Sequence, residues 1–426
     1  MTYIEPAREL PVKGEYDVIV IGSGPSGMAA AVNAGRMGAK TLLIEALGSA
    51  GGISTSGMMS HFTGDCNCAT YHEILKRASD KNLYEPGNST ITINHELMKL
   101  TYYEMLEEAG VELLLYTTVC NVVMEGDTLR GVIVENKGGR SVYFAKVFID
   151  GSGDGDVACK AGAEYILGRE EDNAMQPATL MFRVGGVDME RAALPPSFET
   201  TVDTPKGELQ ALARKLLPAP AGHVLLYKST IPGIVTCNMT NVTEIDGTKA
   251  EDLTRAEIIC HKQMPAIVDF LREYVPGYEN CYIIGAASLI GIRETRHFKG
   301  VYTLERDDIQ NARVFPDWVV RDAYFNFDVH NIKGAGLDET GVQHKFTQKK
   351  GYTIPYGCLV PEKIDGLLLA GRNISGSHMA HSNFRAMPIC VATGEAAGIA
   401  AALAAKQGIL PRDVNPAQIQ ARVLEL

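Results

Sequence analysis

The sequence lacks any excess of positive charge: 40 Lys and Arg stand against 51 Asp and Glu, a net charge of -11. Nucleic acids and anionic membrane surfaces both reward Lys and Arg, so neither is expected as a partner. It also lacks a disulfide pattern. The nine cysteines are odd in number and scattered from Cys66 to Cys390, which suits a reducing cytoplasm better than a secreted scaffold. Residues 1–16 carry Glu5, Arg8 and Glu9 and no apolar h-region, so they are not expected to be a signal peptide. The most apolar stretch, Ile389–Ala405, holds Glu395 and is short for a clean membrane span; it reads as a buried helix. Internal repeats, low-complexity segments and a metal-ligand set are absent as well. What remains is 426 residues, 46% hydrophobic and 21% charged, enough for two folded domains.

The N-terminal part carries a compact signal. Tyr16–Ile21 is a short apolar run of the kind that forms a buried parallel strand. Gly22-Ser23-Gly24-Pro25-Ser26-Gly27 follows, then a helical stretch Met28–Met37, Gly38 as its stop, and a second apolar strand Lys40–Ile44 closing on Glu45. Strand, glycine turn, helix, strand and acidic residue make up a dinucleotide-binding unit. Gly22 permits the tight turn, Gly24 lets a pyrophosphate approach the backbone, and Gly27 lets helix and strand pack closely. Free N–H groups at the helix start favour phosphate, and Glu45 is placed for ribose hydroxyls. No second GxGxxG unit follows, so a built-in NAD(P)H domain is not expected.

The unit alone does not choose between FAD and NAD. The segments that do choose are Glu45-Ala46, Gly51-Gly52-Ile53-Ser54-Thr55-Ser56-Gly57, Val147–Asp156 with Gly151, Gly153 and Asp154, and Ile364–Arg372 ending on Gly371-Arg372. Together they resemble glutathione-reductase-type flavoproteins, and the middle of the chain resembles a branch of bacterial FAD-dependent oxidoreductases related to fumarate-reductase-like flavoproteins. Ala250–Val275, Gly291–Arg296 and Gly300–Leu304 carry that second likeness. The resemblance implies an α/β fold: a Rossmann-type FAD-binding domain with a parallel sheet and β-meander, and an inserted α+β substrate domain. The implied boundaries are 1–169 and 354–426 for the FAD-binding domain and 170–353 for the substrate domain. It implies FAD as cofactor and contacts from Val119, Asn383, Met387 and Pro388 in addition to the motif residues. Arg372 departs from the family's usual Asp after that glycine. Pro388 suits a helix start whose dipole would stabilise reduced flavin.

Elsewhere, Asn94–Ala109 has helical spacing with Asn94 as N-cap and Gly110 as stop. Val119–Met124 and Leu129–Glu135 read as a hairpin, and Ser141–Ile149 as the strand returning to the second glycine motif. Ala178–Val184 and Gly222–Asn238 read as strands, the proline-rich 195–220 as loop, and Leu253–Tyr274 as an amphipathic helix. Asn238 and Asn241 are expected to face the pocket by alternation.

The candidates for substrate chemistry are His378, His381 and Arg385 in the C-terminal motif, His61 beyond the GG segment, and Arg293. A histidine could take the proton of an alcohol as hydride leaves; an arginine could grip a carboxylate in two-pronged geometry. Each histidine could equally cap a helix, and Arg293-Glu294-x-Arg296 could be a salt-bridged knot between domains. Cys66-Asn67-Cys68 has too short a gap for a relaxed disulfide and is not expected to be a redox pair. The expected function is an FAD-dependent oxidoreductase moving a hydride between a small polar, hydroxylated or carboxylated substrate and flavin N5, with a separate electron acceptor or donor. An oligomer is compatible with this. The alternative is FAD as scaffold or regulatory ligand in a non-redox binding or nucleic-acid-modifying protein, which the net charge opposes.

Overall fold

The structure, a computed structural model, describes residues 2–78, 90–338 and 345–426. Its main sheet runs Glu112–Leu114, Thr41–Ile44, Val12–Ile21, Gly139–Asp150, Thr128–Asn136, Thr118–Glu125, and Leu367–Leu369 joins Gly139–Asp150 from its other side. Val12–Ile21 lies parallel to both Thr41–Ile44 and Gly139–Asp150, and Leu367–Leu369 is parallel to the latter. Thr118–Glu125, Thr128–Asn136 and Gly139–Asp150 form an antiparallel meander. The parallel strands are apolar on both faces because both faces are covered: Val18, Ile19 and Val20 are fully buried. Their carboxyl ends (Ile21, Ile44, Asp150 and Leu369) come to one edge of the sheet, where ligands of open α/β sheets bind.

Two helices cover one face. Pro25–Arg36 starts directly after the glycine turn, and Met387–Gln407 crosses it at backbone contact. A Cβ at Gly394 would lie 2.0 Å from Ser26 O, and one at Gly398 would lie 2.3 Å from Ala30 O. Two glycines one turn apart on Met387–Gln407, facing Ser26 and Ala30, thus set the helix separation. Met387–Gln407 is long and apolar enough to cross a membrane, but 89% of its apolar window is buried inside the fold. Pro388 does sit in its first turn, as the sequence predicts. The Asn94 cap is also present: its side chain accepts from the backbone N–H of Glu96 and Leu97 at 3.1 and 3.2 Å.

A second core is built on an antiparallel sheet ordered Leu226–Lys228, Val235–Cys237, Phe182–Gly185, Tyr282–Ala286. The helix Ala250–Tyr274 lays Ala256, Cys260, Met264, Ile267 and Leu271 on this core at three- and four-residue intervals. The core's buried apolar residues run from Ala178 to Ala287, and those from Phe298 onward belong to the first core. Gly222–Asn238 holds two strands, Leu226–Lys228 and Val235–Cys237, paired as a hairpin turned near Gly233 with φ +71°. One local expectation is corrected. The segment 195–220 is not all loop: Leu209–Leu216 is helical, because the Glu208 carboxylate caps it by accepting from Gln210 and Ala211 N–H at 2.8 and 2.7 Å.

Candidate functional site

The glycine turn has one crowded side and one open side. A Cβ on Gly22 (φ +86°) would meet Gly151 O at 2.6 Å, and one on Gly27 would meet Gly22 O at 1.8 Å. These two glycines weld the first turn, its helix and the second glycine motif together. Gly24 is different: a Cβ there has no atom within 4 Å. It caps the helix Pro25–Arg36 with no side chain, leaving the first N–H groups facing that open space. Gly52 lies across it, its Cβ position 3.0 Å from Gly24 Cα, and Gly51 N–H donates to Ser23 O at 2.8 Å. The Glu45 carboxylate, at the end of the second strand, accepts from Ser23 N–H, Ser23 Oγ and Leu47 N–H at 2.7, 2.6 and 2.8 Å. It braces the turn as well as standing where ribose hydroxyls would lie, with Ala46 next in the chain. Ser56 Oγ pairs with Ser49 Oγ at 3.0 Å, and Gly57 N–H closes back on Gly52 O at 3.0 Å. Val119 is buried in the meander opposite Val134.

The second glycine motif is organised by Asp150, fully buried. Burial raises its carboxyl. It accepts from Ser152 N–H and Oγ and from Val157 and Ala158 N–H at 2.6–3.1 Å. Asp154 Oδ1 accepts from Arg372 Nη2 at 2.9 Å and from Thr295 Oγ1 at 2.8 Å. Gly371 (φ +93°) presses on Ser26, which a Cβ would approach to 2.5 Å; Gly153 (φ +86°) likewise gives room to the Arg372 guanidinium. The other end of that guanidinium, Nη1, is buried with no hydrogen-bond partner among the described residues. A guanidinium with one free donor group beside an open helix N-terminus fits the diphosphate of a dinucleotide. Asn383 stands apart from this group. Tyr352 OH donates to its Oδ1 at 2.8 Å, and its Nδ2 donates to Phe325 O and to Gln348 Oε1, so its amide ties elements together. Met387 and Pro388 open the long C-terminal helix.

On the other side lies a half-buried polar cluster in which Arg385 pairs with Asp328 and Arg293 lies within their field. Arg385 Nη2 donates to Asp328 O and Oδ2 at 2.9 and 2.7 Å, and His330 Nε2 stands 3.3 Å from the same Oδ2. Burial opposes ionisation of Asp328, but His330, Arg385 and Arg293 around it hold the carboxyl well below the usual range. Arg293 Nη1 donates to Pro177 O and Thr179 Oγ1 at 2.5 and 2.9 Å; burial pulls its guanidinium down to about 10. Phe198 stands edge-on to both His330 and His223. Burial keeps these two neutral, with pKa values near 4 and 3. His223 pairs with Asn238 O at 3.0 Å, and Asn238 Nδ2 donates to Tyr227 OH at 3.3 Å. The Tyr227 ring packs on His61, itself pushed down to about 4 by burial and held by Ser60 Oγ. Arg385 Nε, His223 Nδ1, Asn238 Oδ1 and Gln176 Nε2 are buried here with no partner among the described residues.

His378 and His381 are placed elsewhere. They gather with His297 around Glu294, and Arg296 turns away to donate to Asp154 O and Asp156 Oδ1 at 2.8 and 2.9 Å. Within the Arg293–Arg296 stretch, Glu294 and Arg296 pair with His378 and Asp156 outside residues 170–353, as a salt-bridged knot would, while Arg293 turns to the polar cluster. Asn241 is structural, holding Pro220 O and Gly334 O at 3.1 Å. All nine cysteines are free thiols, Cys66 and Cys68 included. Asp328, His330, His223 and Tyr227 were not foreseen. Phe327-Asp328-Val329-His330 alternates apolar and polar residues, which was the available signal, but nothing local says that both polar side chains turn inward.

A family model described as FAD dependent oxidoreductase matches residues 17–423. Digeranylgeranylglycerophospholipid reductase 1 of Methanococcoides burtonii is 23% identical over 206 residues, 43% of this chain and 48% of that protein. The match thus spans about half the length of that curated relative. A geranylgeranyl bacteriochlorophyll reductase-like protein of Thermoplasma acidophilum superposes with a TM-score of 0.50 at 14% identity, covering 96% of this chain and 82% of that one. The p-nitrophenol 4-monooxygenase PnpA of Pseudomonas putida superposes with a TM-score of 0.50 at 12% identity, covering 93% and 82%. At these identities the likeness is one of fold, a mixed α/β flavoprotein fold. The chain belongs to the FAD-dependent oxidoreductase family and is an enzyme whose cofactor is FAD.

Proposed function

We propose that this enzyme oxidises or reduces a small polar substrate, hydroxylated or carboxylated, held between the Arg293–Arg385–Asp328 cluster and the cofactor. FAD, when bound, supplies the acceptor or donor of the hydride. Arg372, Gly24, Gly52 and the start of the helix Pro25–Arg36 would hold its diphosphate. The observation that carries the substrate reading is the set of unpartnered buried polar atoms around the two guanidiniums. A buried donor or acceptor left unpaired costs about 1–3 kcal/mol, so four in one place mark where a polar ligand completes the site. Two half-buried arginines against a single Asp328 leave a net positive charge for a carboxylate. Neutral His223, its Nδ1 without a partner among the described residues, can accept a hydrogen bond from a substrate hydroxyl.

On this reading residues 1–169 and 354–426 form a glutathione-reductase-type FAD-binding domain, and 170–353 carry the substrate side. A separate small molecule returns the electrons, and the nine free thiols support a reducing cytoplasm as the compartment. The test is anaerobic absorption spectroscopy of the holoenzyme with hydroxy acids, polyols and enoates. Carboxylated compounds should bleach or shift the flavin band, and Arg385→Gln should weaken that response at least tenfold. A flavin band indifferent to the whole panel sinks the substrate class.

A further inference from the structure

Four buried side chains outside the arginine cluster form a line, three of them hydrogen-bonded in sequence and the fourth in ring contact. Glu294 Oε1 accepts from His378 Nδ1 at 2.5 Å and from His297 Nε2 at 2.8 Å. The His297 ring stands edge-on to His381, centroids 4.8 Å apart. Glu294 is 1% exposed and His381 1% exposed, so the line runs through the interior. Its outer end lies beside the exposed stretch 170–173: the His378 backbone N–H donates to Glu170 Oε1 at 2.9 Å, and the imidazole lies in the field of that carboxylate. Its inner end, His381, lies one helical turn before Arg385, whose backbone N–H donates to the His381 carbonyl at 3.1 Å, and feels Arg372 on the cofactor side.

The same three residues Glu294, His297 and His378 could be taken for a metal site. Their spacing argues otherwise. A cation would sit between its ligands at about 2.1 Å from each; here the carboxylate oxygen itself occupies the middle, at hydrogen-bond distance from both imidazoles. What these atoms share is protons.

We propose that His378, Glu294, His297 and His381 form a proton relay joining the redox centre to the surface at Glu170. The proposal rests on the reading that substrate turns over between Arg385 and Arg372. Oxidation of an alcohol carbon releases a hydride, which carries both electrons to the cofactor, and a hydroxyl proton. That proton is taken up at the His381 end, one proton moves along each link, and one leaves His378; in the reducing direction the flow reverses. The fields along the line favour this polarity. Burial, with His297, Arg385 and Arg372 nearby, keeps His381 neutral although Glu294 opposes them. At the outer end burial and Arg169 act against protonation of His378, but Glu294 and Glu170 prevail and raise it. Glu294 stays ionised despite burial because His297 and His378 both donate to it, with Gln176 N–H on its other oxygen. The unpartnered Nδ1 atoms of His297 and His381 mark the one link that needs a bridging water or a ring turn.

The test needs no substrate. The holoenzyme is reduced with reduced methyl viologen, whose own oxidation releases no proton, in weak buffer with a pH-indicator dye. Flavin bleaching and proton uptake are followed together. In the unaltered enzyme uptake should keep pace with bleaching. In Glu294→Gln and His297→Gly bleaching should continue while uptake lags at least tenfold, and added imidazole should restore uptake in His297→Gly. Uptake in step with bleaching in both variants overturns the relay. Should a variant fail to hold FAD, the unaltered enzyme decides: a curved proton inventory in mixed H2O and D2O supports several protons in flight, and a linear one overturns it. Because the assay omits substrate, its failure leaves the carboxylate reading standing, and failure of that reading leaves this result intact.

Discussion

Gly24 and Gly27 lie three residues apart in one turn, yet they should fail in opposite ways when given a side chain. At Gly24 the backbone is extended (φ −62°, ψ 178°), which any residue adopts, and a Cβ has no atom within 4 Å. Gly24→Val should therefore cost the apoprotein no more than about 1 kcal/mol, the difference between a good and a poor N-cap residue. Its side chain would fill the space where the diphosphate meets the helix N-terminus. Losing two charge-assisted hydrogen bonds at about 1.5–3 kcal/mol each weakens FAD binding by about 10²–10⁴-fold. Gly27→Ala puts a Cβ 1.8 Å from Gly22 O, a backbone clash that only separation of helix from strand relieves. A loss of about 3 kcal/mol or more in folding stability is expected there. Flavin fluorescence titration of apoprotein and thermal melts separate the two effects. Gly24→Val that binds FAD as tightly as the parent refutes the diphosphate placement; Gly24→Val that melts like Gly27→Ala refutes the reasoning about space.

Gly394→Ala should destabilise by about 3 kcal/mol or more, because its Cβ would meet Ser26 O at 2.0 Å, and flavin retention should fall with the melting temperature. Acid should destabilise the enzyme early: His61, His223 and His330 have folded pKa values near 4, 3 and 4, below the unfolded value of about 6.5. The unfolded chain then binds more protons as pH falls from 6.5 towards 4, and each histidine withdraws on the order of 2 kcal/mol by pH 5, with raised His378 opposing only in part. A melting temperature flat between pH 7 and pH 5 contradicts this, and His61→Asn should flatten the curve in part. Asn94→Ala should cost about 1 kcal/mol by denaturant unfolding, leaving FAD affinity unchanged.

The nucleotide half was legible because its signals are local. A buried strand, a glycine turn and a helix start lie within one short stretch, and each glycine's job follows from its neighbours in sequence. The same holds for the Asn94 cap and the meander hairpin. The substrate half was legible only in part. Arg293 and Arg385 are identified in sequence, but Asp328, which pairs with Arg385 in the field of Arg293, sits 35 residues beyond one and 57 before the other. His378 and His381 are candidates because the family motif they belong to lies beside the flavin. The fold instead turns them towards Glu294 and His297, whose charges could not be assigned a partner in advance.

The sequence by itself determined a dinucleotide-binding unit, the parallel sheet and the buried C-terminal helix, because backbone turns, strand periodicity and helix caps are decided by residues within a few positions of each other; FAD rather than NAD came from the resemblance of the later motifs to a family. Tertiary structure alone decided which charged groups share a site. Carboxylates, guanidiniums and imidazoles act over a few ångströms of space, and only closing the second core against the first brought Asp328, His223, Glu294 and their partners within that reach.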